Sequence, residues 1–485
     1  MNDASDPPSG ASDADLRFTK DLSRPEPIPE AGIARVVELM RSGRLHRYGE
    51  TGAGDPDPAL LEVEFAASIG ARWCVAMSSC GATLFVALKT LGIGPGDTVL
   101  TSTFTLAPVP GAIAHAGARA VLVETTPDLT CDLDDLDRKL ASTGAKVFLV
   151  SHMRGHIADL AALRAICDRH AAALVEDCAH TMGAAWDGRP TGRWGRIGCF
   201  SAQTYKHINS GEGGLLVTDD DDLCAQAILY SGSYMFFGQH RSRPADAVFE
   251  RWRGRIPNFS LRMSNAAAAM LRPQLAELPR RAATWNRLHA RLVDELGGIE
   301  GLRLPRRDAR EQFVASSIQF FVERPAERIA AFIEACAARG LHIKWFGVET
   351  PIGFTSNASH WGYLPQPLGV DRSLETLGRL CDMRIPLDLT EEDCRVIGRI
   401  VHDTAAATKD GGGAAFAAMP ARYPLPLICG IRLECSHVDD CRRQVLHPKA
   451  ATHKMPSVRF LLIRRLALPV VADYNAHHDP LPEVQ

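Results

Sequence analysis

The residues able to do chemistry in this 485-residue chain gather in one stretch, Ser201-Ala-Gln-Thr-Tyr-Lys206-His-Ile-Asn-Ser-Gly211-Glu-Gly-Gly214. A lysine just after an apolar run and ahead of a glycine-rich turn is positioned for imine chemistry. Its amine attacks an aldehyde or ketone once partial burial and neighbouring charge lower its pKa. A solvated loop lysine is the plainer reading, and the residues upstream weigh against it. The run 175–180, VEDCAH, ends an apolar segment in the carboxylate of Asp177. Such an aspartate can simply cap the next helix. It can also pair with a pyridinium nitrogen and keep the ring protonated as an electron sink. Ser78, Ser79, Cys80, Gly81 and Ala82 open a helical stretch directly after another apolar run. Backbone N–H groups at such a start form a phosphate site, a weak signal by itself because many turns of this kind are small and polar.

These residues need elements to hold them. Short, β-branched apolar runs recur at 73–77, 98–102, 119–123, 146–151, 173–177, 197–202 and 214–218, with helical stretches such as 82–91 and 157–170 between several of them. This alternation predicts an α/β domain with a mostly parallel sheet covered on both faces. Ligands bind such sheets at the carboxyl ends of the strands. The polar residues out of pattern fall there: Ser78 to Gly81, Thr103, His152, Asp177 and Ser201. Helix-spaced apolar residues also precede the first strand, at Ile33, Val36, Val37 and Met40 and again from Leu60 to Ile69. Residues 262–296 read as a long helix, followed by a smaller α/β segment with a strand over 316–322 and a helix over 327–338.

At the ends, the polar, turn-rich residues 1–25 read as a disordered leader. TKDGGGAA at 408–415 reads as a linker to an atypical extension reaching 485. Cys429, Cys435, Cys441 and His437 lack the close cysteine spacing of a zinc knuckle, so no metal site is expected. Lys+Arg 54 against Asp+Glu 57 leaves a net charge of −3, no global attraction for nucleic acid or an anionic membrane. No run approaches the ~18 apolar residues of a spanning helix, and the start carries no signal peptide. Thirteen scattered cysteines, many inside apolar runs, read as reduced thiols of a cytoplasmic protein.

Colinear motifs from about Glu26 to Ala407 make the chain resemble the DegT/DnrJ/EryC1/StrS family of pyridoxal-phosphate-dependent sugar aminotransferases. They are GIGPGD at 92–97, AHAGARAVLVE at 114–124, His152-Met-Arg-Gly155, VEDCAH, GCFSAQTYKHINSGEGG at 198–214, Arg262-Met-Ser-Asn265 and Ile385-Pro-Leu-Asp-Leu-Thr390. The resemblance implies fold type I, the aspartate-aminotransferase-like fold. It implies a large domain over 26–260, built on a mostly parallel seven-stranded sheet, and a smaller C-terminal α/β domain over 261–407. It also implies pyridoxal 5'-phosphate as cofactor and a homodimer with shared active sites.

Carried over by position, Lys206 forms the Schiff base and Asp177 holds the pyridine nitrogen. His180 stands beside the ring, Ser201 binds phosphate, and the backbone at Cys80-Gly81 is the phosphate turn. Three positions depart from the family pattern. Cys80-Gly81 replaces Gly-Thr, with Thr83 a candidate substitute for the lost hydroxyl. Leu106 stands where an aromatic ring stacks, with Phe104 nearby. Ser260 stands where an asparagine reaches the partner's phosphate, with Asn258 two residues away. The implied reaction moves an amino group from glutamate or glutamine to a keto sugar, in some relatives nucleotide-linked, or a keto-cyclitol. Two alternatives stay open: a sugar dehydratase, whose relatives carry histidine at the lysine position, and a cofactor-binding regulatory protein without turnover.

Overall fold

A computed structural model describes residues 16–49, 54–353 and 357–409. Apart from Thr408 and Lys409, the expected linker and extension lie outside the described residues, and with them Cys429, Cys435, His437 and Cys441. All seven apolar runs form strands: β1 (Trp73–Met77), β2 (Thr98–Ser102), β3 (Arg119–Val123), β4 (Val147–Ser151), β5 (Ala173–Asp177), β6 (Ile197–Ser201) and β7 (Gly214–Thr218). They form one sheet in the order β1-β7-β6-β5-β4-β2-β3. Pairs from β3 through β2, β4 and β5 to β6 are parallel. Only β7 is reversed, antiparallel to both β1 and β6.

Successive side chains of a strand point to opposite faces, and here both faces are buried. On β4, Val147 and Leu149 pack with Leu84 and Ile113, while Phe148 and Val150 pack with Leu163 and Trp285. That is the physical reason the strands read as continuous apolar runs rather than alternating ones. Helices Cys80–Thr90, Pro108–His115, Leu133–Thr143 and Leu160–Arg169 fill the crossovers. Side chains of Ser79, Asp132 and Asp159 cap three of them by accepting first-turn amides.

A 32-residue helix, Asn265–Leu296, leads to the second sheet and carries Pro273 and Pro279 inside it. This sheet comprises β8 (Leu302–Arg303), β9 (Ser317–Val322), β10 (Lys344–Trp345) and β11 (Leu380–Arg384), antiparallel in the order β8-β9-β11-β10. The expected division at 260/261 separates the two sheets but not their cores. Phe148 and Leu160 of the first belong to one apolar cluster with Trp285, Phe320 and Phe332 of the second.

The expectation of a disordered leader over 1–25 is corrected for residues 16–25, while 1–15 lie outside the described residues. Phe18 and Leu22 are buried in the shared core. The Phe18 amide donates to the Arg339 carbonyl at 2.8 Å, and Lys20 pairs with Asp393 at 2.7 Å. Gly340 makes room for this segment: at φ 82°, an added Cβ would stand 2.1 Å from the Phe18 carbonyl oxygen. Two apolar anchors in an otherwise polar leader are enough to dock it. Replacing Phe18 with alanine removes a buried ring, so Phe18→Ala is expected to lose about 3 kcal/mol of stability. Urea unfolding checks this, and an unchanged midpoint would contradict the docking.

Candidate active site

The site forms where β1, β4, β5 and β6 end. In the β4–β5 ladder Ser151 stands opposite Asp177, so both side chains point to one face. Asp177 is buried. Its Oδ2 accepts the Ser151 hydroxyl at 2.7 Å and its Oδ1 accepts the Ala179 amide at 3.1 Å. The neighbouring Glu176 points to the other face and takes the opposite kind of role. Its carboxylate accepts the amides of Gly192, Trp194 and Gly195 at 2.7 to 2.8 Å, with His152 Nε2 at 3.2 Å. Strand alternation thus sends one of two adjacent carboxylates to the cleft and the other to brace the turn leading into β6.

Because β6 and β7 are antiparallel, the chain between them folds back on itself. The Ala202 amide donates to the Gly213 carbonyl, that of Thr204 to Gly211 and that of Ser210 to Ala202. Lys206 lies in this loop, its amide bonded to the Gln203 carbonyl at 2.9 Å. The long helix pins the loop from behind. Gln274 exchanges two hydrogen bonds with the Asn209 backbone, and Arg281 donates to the His207 carbonyl at 3.3 Å.

Lys206 Nζ lies 2.7 Å from His180 Nε2. Burial, followed by the Arg154 guanidinium, pushes the amine down to about 7, against the opposing pull of Asp177. Burial and the same lysine hold His180 well below its ordinary value, so the ring is neutral near pH 7 and its Nε2 can accept a hydrogen bond from the Lys206 amine. His207 turns the other way, to Ser316 Oγ at 3.2 Å and the Trp285 ring. Burial pushes it down to about 3. The lysine, not the adjacent histidine, therefore faces the cleft beside His180, the arrangement the aminotransferase expectation requires and the dehydratase alternative does not.

At the end of β1, Ser79 caps the helix Cys80–Thr90 by accepting the Ala82 amide, leaving the amides of Cys80 and Gly81 at the open end of the helix. Gly214 is what allows β7 to run beneath this turn: an added Cβ would lie 2.3 Å from the Ser79 carbonyl oxygen and 2.6 Å from the Cys80 nitrogen. Thr83 does not supply the missing hydroxyl, because its Oγ1 donates to the Cys80 carbonyl at 2.7 Å and the residue is fully buried. The Cys80 thiol instead lies 3.9 Å from Asp177 Oδ1, and burial raises its pKa well above the ordinary range. Ser201, also buried, accepts the Gln203 amide at 3.3 Å.

Two expected positions sit apart from this group. The strand β2 ends at Ser102, so no alternation extends to Phe104 and Leu106. Phe104 is buried with Met153, Phe321 and Phe346, and Leu106 packs against that cluster. Asn258 and Ser260 are exposed on a turn where Asn258 Oδ1 accepts the Ser260 amide at 2.9 Å. That turn lies beside the end of β1, since the Ser78 amide donates to the Leu261 carbonyl at 2.8 Å. Ser151, Arg154, Asp382 and Arg384 were not singled out from the sequence. For Ser151 the only signal was its place at the end of a strand run. For the two arginines it was their position inside or directly beside motifs whose other residues drew notice.

These residues fit pyridoxal phosphate: a lysine near neutrality, a buried carboxylate with a hydroxyl partner, and a helix start with free amides over a glycine cradle. The lysine's electrostatics can be checked without cofactor. Modification of Lys206 by an amine reagent, followed by mass spectrometry, should titrate with a midpoint near the value of about 7. Removing the nearby cation should raise it, so Arg154→Gln is expected to move the midpoint upward by up to about one unit. A midpoint near that of exposed lysines in the unaltered protein would contradict the burial.

The chain matches the DegT/DnrJ/EryC1/StrS aminotransferase family over residues 28–355. It is 36% identical to the spore coat polysaccharide biosynthesis protein SpsC of Bacillus subtilis (strain 168) over 197 residues, 40% of this chain and 49% of that protein. Against the L-glutamine:2-deoxy-scyllo-inosose aminotransferase of Streptoalloteichus tenebrarius, identity is 33% over 286 residues, 58% of this chain and 67% of that one. The chain thus spans about half to two thirds of the length of these curated relatives. Among solved structures, DesV of S. venezuelae in complex with a ketimine intermediate superimposes with a TM-score of 0.65 at 27% identity, covering 77% of this chain and 94% of that one. The fold of 3-amino-5-hydroxybenzoic acid synthase superimposes with a TM-score of 0.67 at 24% identity, covering 79% and 99%. On this match across most of the described residues, the chain belongs to the DegT/DnrJ/EryC1/StrS aminotransferase family.

Proposed function

We propose that this protein is a pyridoxal-phosphate-dependent aminotransferase that moves an amino group from glutamate or glutamine to a keto sugar or keto-cyclitol. The observation that carries the reading is the Lys206 amine, held near neutrality 2.7 Å from His180 in the cleft where Asp177 is buried. Names of relatives such as L-glutamine:2-deoxy-scyllo-inosose aminotransferase support the donor and acceptor classes. Bound pyridoxal phosphate supplies an aldehyde for amine exchange and a ring that stores an electron pair. The protein does the rest. The amides of Cys80 and Gly81 and the Ser201 hydroxyl would hold its phosphate, and Asp177 would hold a proton on its ring nitrogen. Ser151 and the Ala179 amide keep that carboxylate aimed.

The free Lys206 amine would take the proton from the donor's α-carbon and, in the second half of the reaction, deliver one to the acceptor's carbon. A value of about 7 for the free amine suits both halves, since the amine accepts and gives up a proton without a large penalty. His180, kept neutral by burial, orients that amine through its 2.7 Å contact. We further propose that the enzyme works as a homodimer in which Asn258 and Ser260 reach toward the partner's phosphate. Their exposure on a turn beside β1 supports this.

Two variants test the assignment. Lys206→Ala is expected to keep the fold and lose transamination by several orders of magnitude, because the imine-forming group and the general base vanish together. Residual turnover within tenfold of the unaltered enzyme would exclude that role. Asp177→Asn should bind cofactor yet slow the bleaching of its absorbance by glutamate or glutamine, with little change in donor affinity. An unchanged bleaching rate in stopped flow would mean that another group protonates the ring.

A further inference from the structure

Positive charge is concentrated beside Lys206 to a degree the cofactor roles above do not use. Arg154, Tyr205, Lys206 and Arg384 line one cleft. The cations come from separate elements: Arg154 from the turn after β4, Arg384 from the end of β11, and Lys344 from the adjacent β10. Arg154 is held at φ 56°, a left-handed conformation that costs a non-glycine residue energy and is retained when a site requires it. Its side chain is nine-tenths buried and its Nε has no hydrogen-bond partner.

Among the described residues the two arginines share one ion-pairing carboxylate, and it is fully engaged. Asp382 pairs with Arg154 at 2.6 Å and accepts Gln319 Nε2 at 2.8 Å. Arg384 forms no ion pair among the described residues. Its guanidinium lies over the Tyr205 ring at 4.0 Å, which fixes its plane while leaving the in-plane N–H groups available. The other charged groups lining the cleft are occupied: Glu26 accepts the Leu387 amide at 2.9 Å, and Arg24 pairs with Asp388. Burial and mutual repulsion push Arg384 down to about 10 and Lys344 to about 8, as they push Lys206 to about 7. Two largely buried guanidinium groups beside a single ion-pairing carboxylate are unfavourable until an anion joins them.

We propose that Arg154 and Arg384, with Lys344 behind them, form an anion subsite that takes a carboxylate or phosphate group of a substrate and holds the remainder of that substrate against Lys206. The inference rests on Lys206 being the reacting amine. A planar guanidinium fork matches either oxyanion. The anion can therefore come from the amino donor's carboxylate or from a phosphate on the acceptor.

Calorimetry with glutarate and with pyrophosphate separates the two sources, run on the full chain with and without pyridoxal phosphate. The unaltered protein is expected to bind at least one of them, and Arg384→Gln to weaken that ligand about 10- to 100-fold. Loss of glutarate binding assigns the subsite to a carboxylate, loss of pyrophosphate binding to a phosphate, and loss of both to either. If Arg384→Gln does not fold, by thermal melting, Arg384→Lys decides the matter. It keeps the charge but not the fork, and should weaken binding about threefold or more. Failure of both ligands to bind the unaltered protein, or unchanged affinity in the folded variant, would overturn the proposal. The underlying function fails by a different result: borohydride reduction that fixes no cofactor on Lys206.

Discussion

A buried carboxylate next to a lysine sets the terms for the rest of this structure. Asp177 is placed by a strand end and desolvated by the sheet around it, so its charge must be met by fixed partners or the fold loses stability. The β4–β5 register supplies the first partner by setting Ser151 opposite it, and the Ala179 amide supplies the second. The same burial that makes Asp177 costly depresses Lys206, whose loop is closed by β6–β7 pairing and pinned by Gln274 and Arg281. The site is thus one packed unit in which the Lys206 amine feels the groups around it.

Neighbouring residues of a single strand divide the labour. Asp177 faces the cleft, while Glu176, one position earlier, gathers three backbone amides on the opposite face. Those amides belong to the turn that feeds β6. The carboxylate that does no chemistry therefore positions the strand carrying Ser201 and, beyond it, the lysine loop. His152, Glu176 and Cys178 offer potential ligand atoms within 4.8 Å of one another. The Glu176 oxygens are already committed to those amides, and burial raises the Cys178 thiol well above its ordinary range. The cluster reads as bracing of the sheet.

The small sheet contributes charge beside the candidate residues that the large one positions. Asp382 and Arg384 lie two residues apart on β11 and so point to the same face, and the Arg154–Asp382 pair ties that sheet to the turn after β4. Trp285 of the long helix donates to the Ile385 carbonyl at 2.9 Å, fixing the end of β11 against the shared core. Movement of the small sheet would therefore change the field at Lys206 directly.

Much of this was legible in the sequence. Seven apolar runs marked the strands within a residue at each end, because a strand buried on both faces must be apolar throughout. Asp177 and the turn at Ser78 to Gly81 stood out because they break or follow those runs at their carboxyl ends, and Lys206 because it lies between a run and a glycine-rich turn. Residues 16–25 misled because composition averages over a segment, whereas docking needed only Phe18 and Leu22. Leu106 and Thr83 were beyond reach, since where a side chain points after a strand ends or a helix begins depends on hydrogen bonds that sequence spacing does not encode. Arg154, Asp382 and Arg384 lie more than 200 positions apart along the chain at the widest, and no local pattern links them. The sequence by itself determined the elements and the candidate residues, because both follow from local periodicity and residue type. Only the tertiary structure decided which charges meet at Lys206, because that field is a sum over elements distant in sequence that packing brings together.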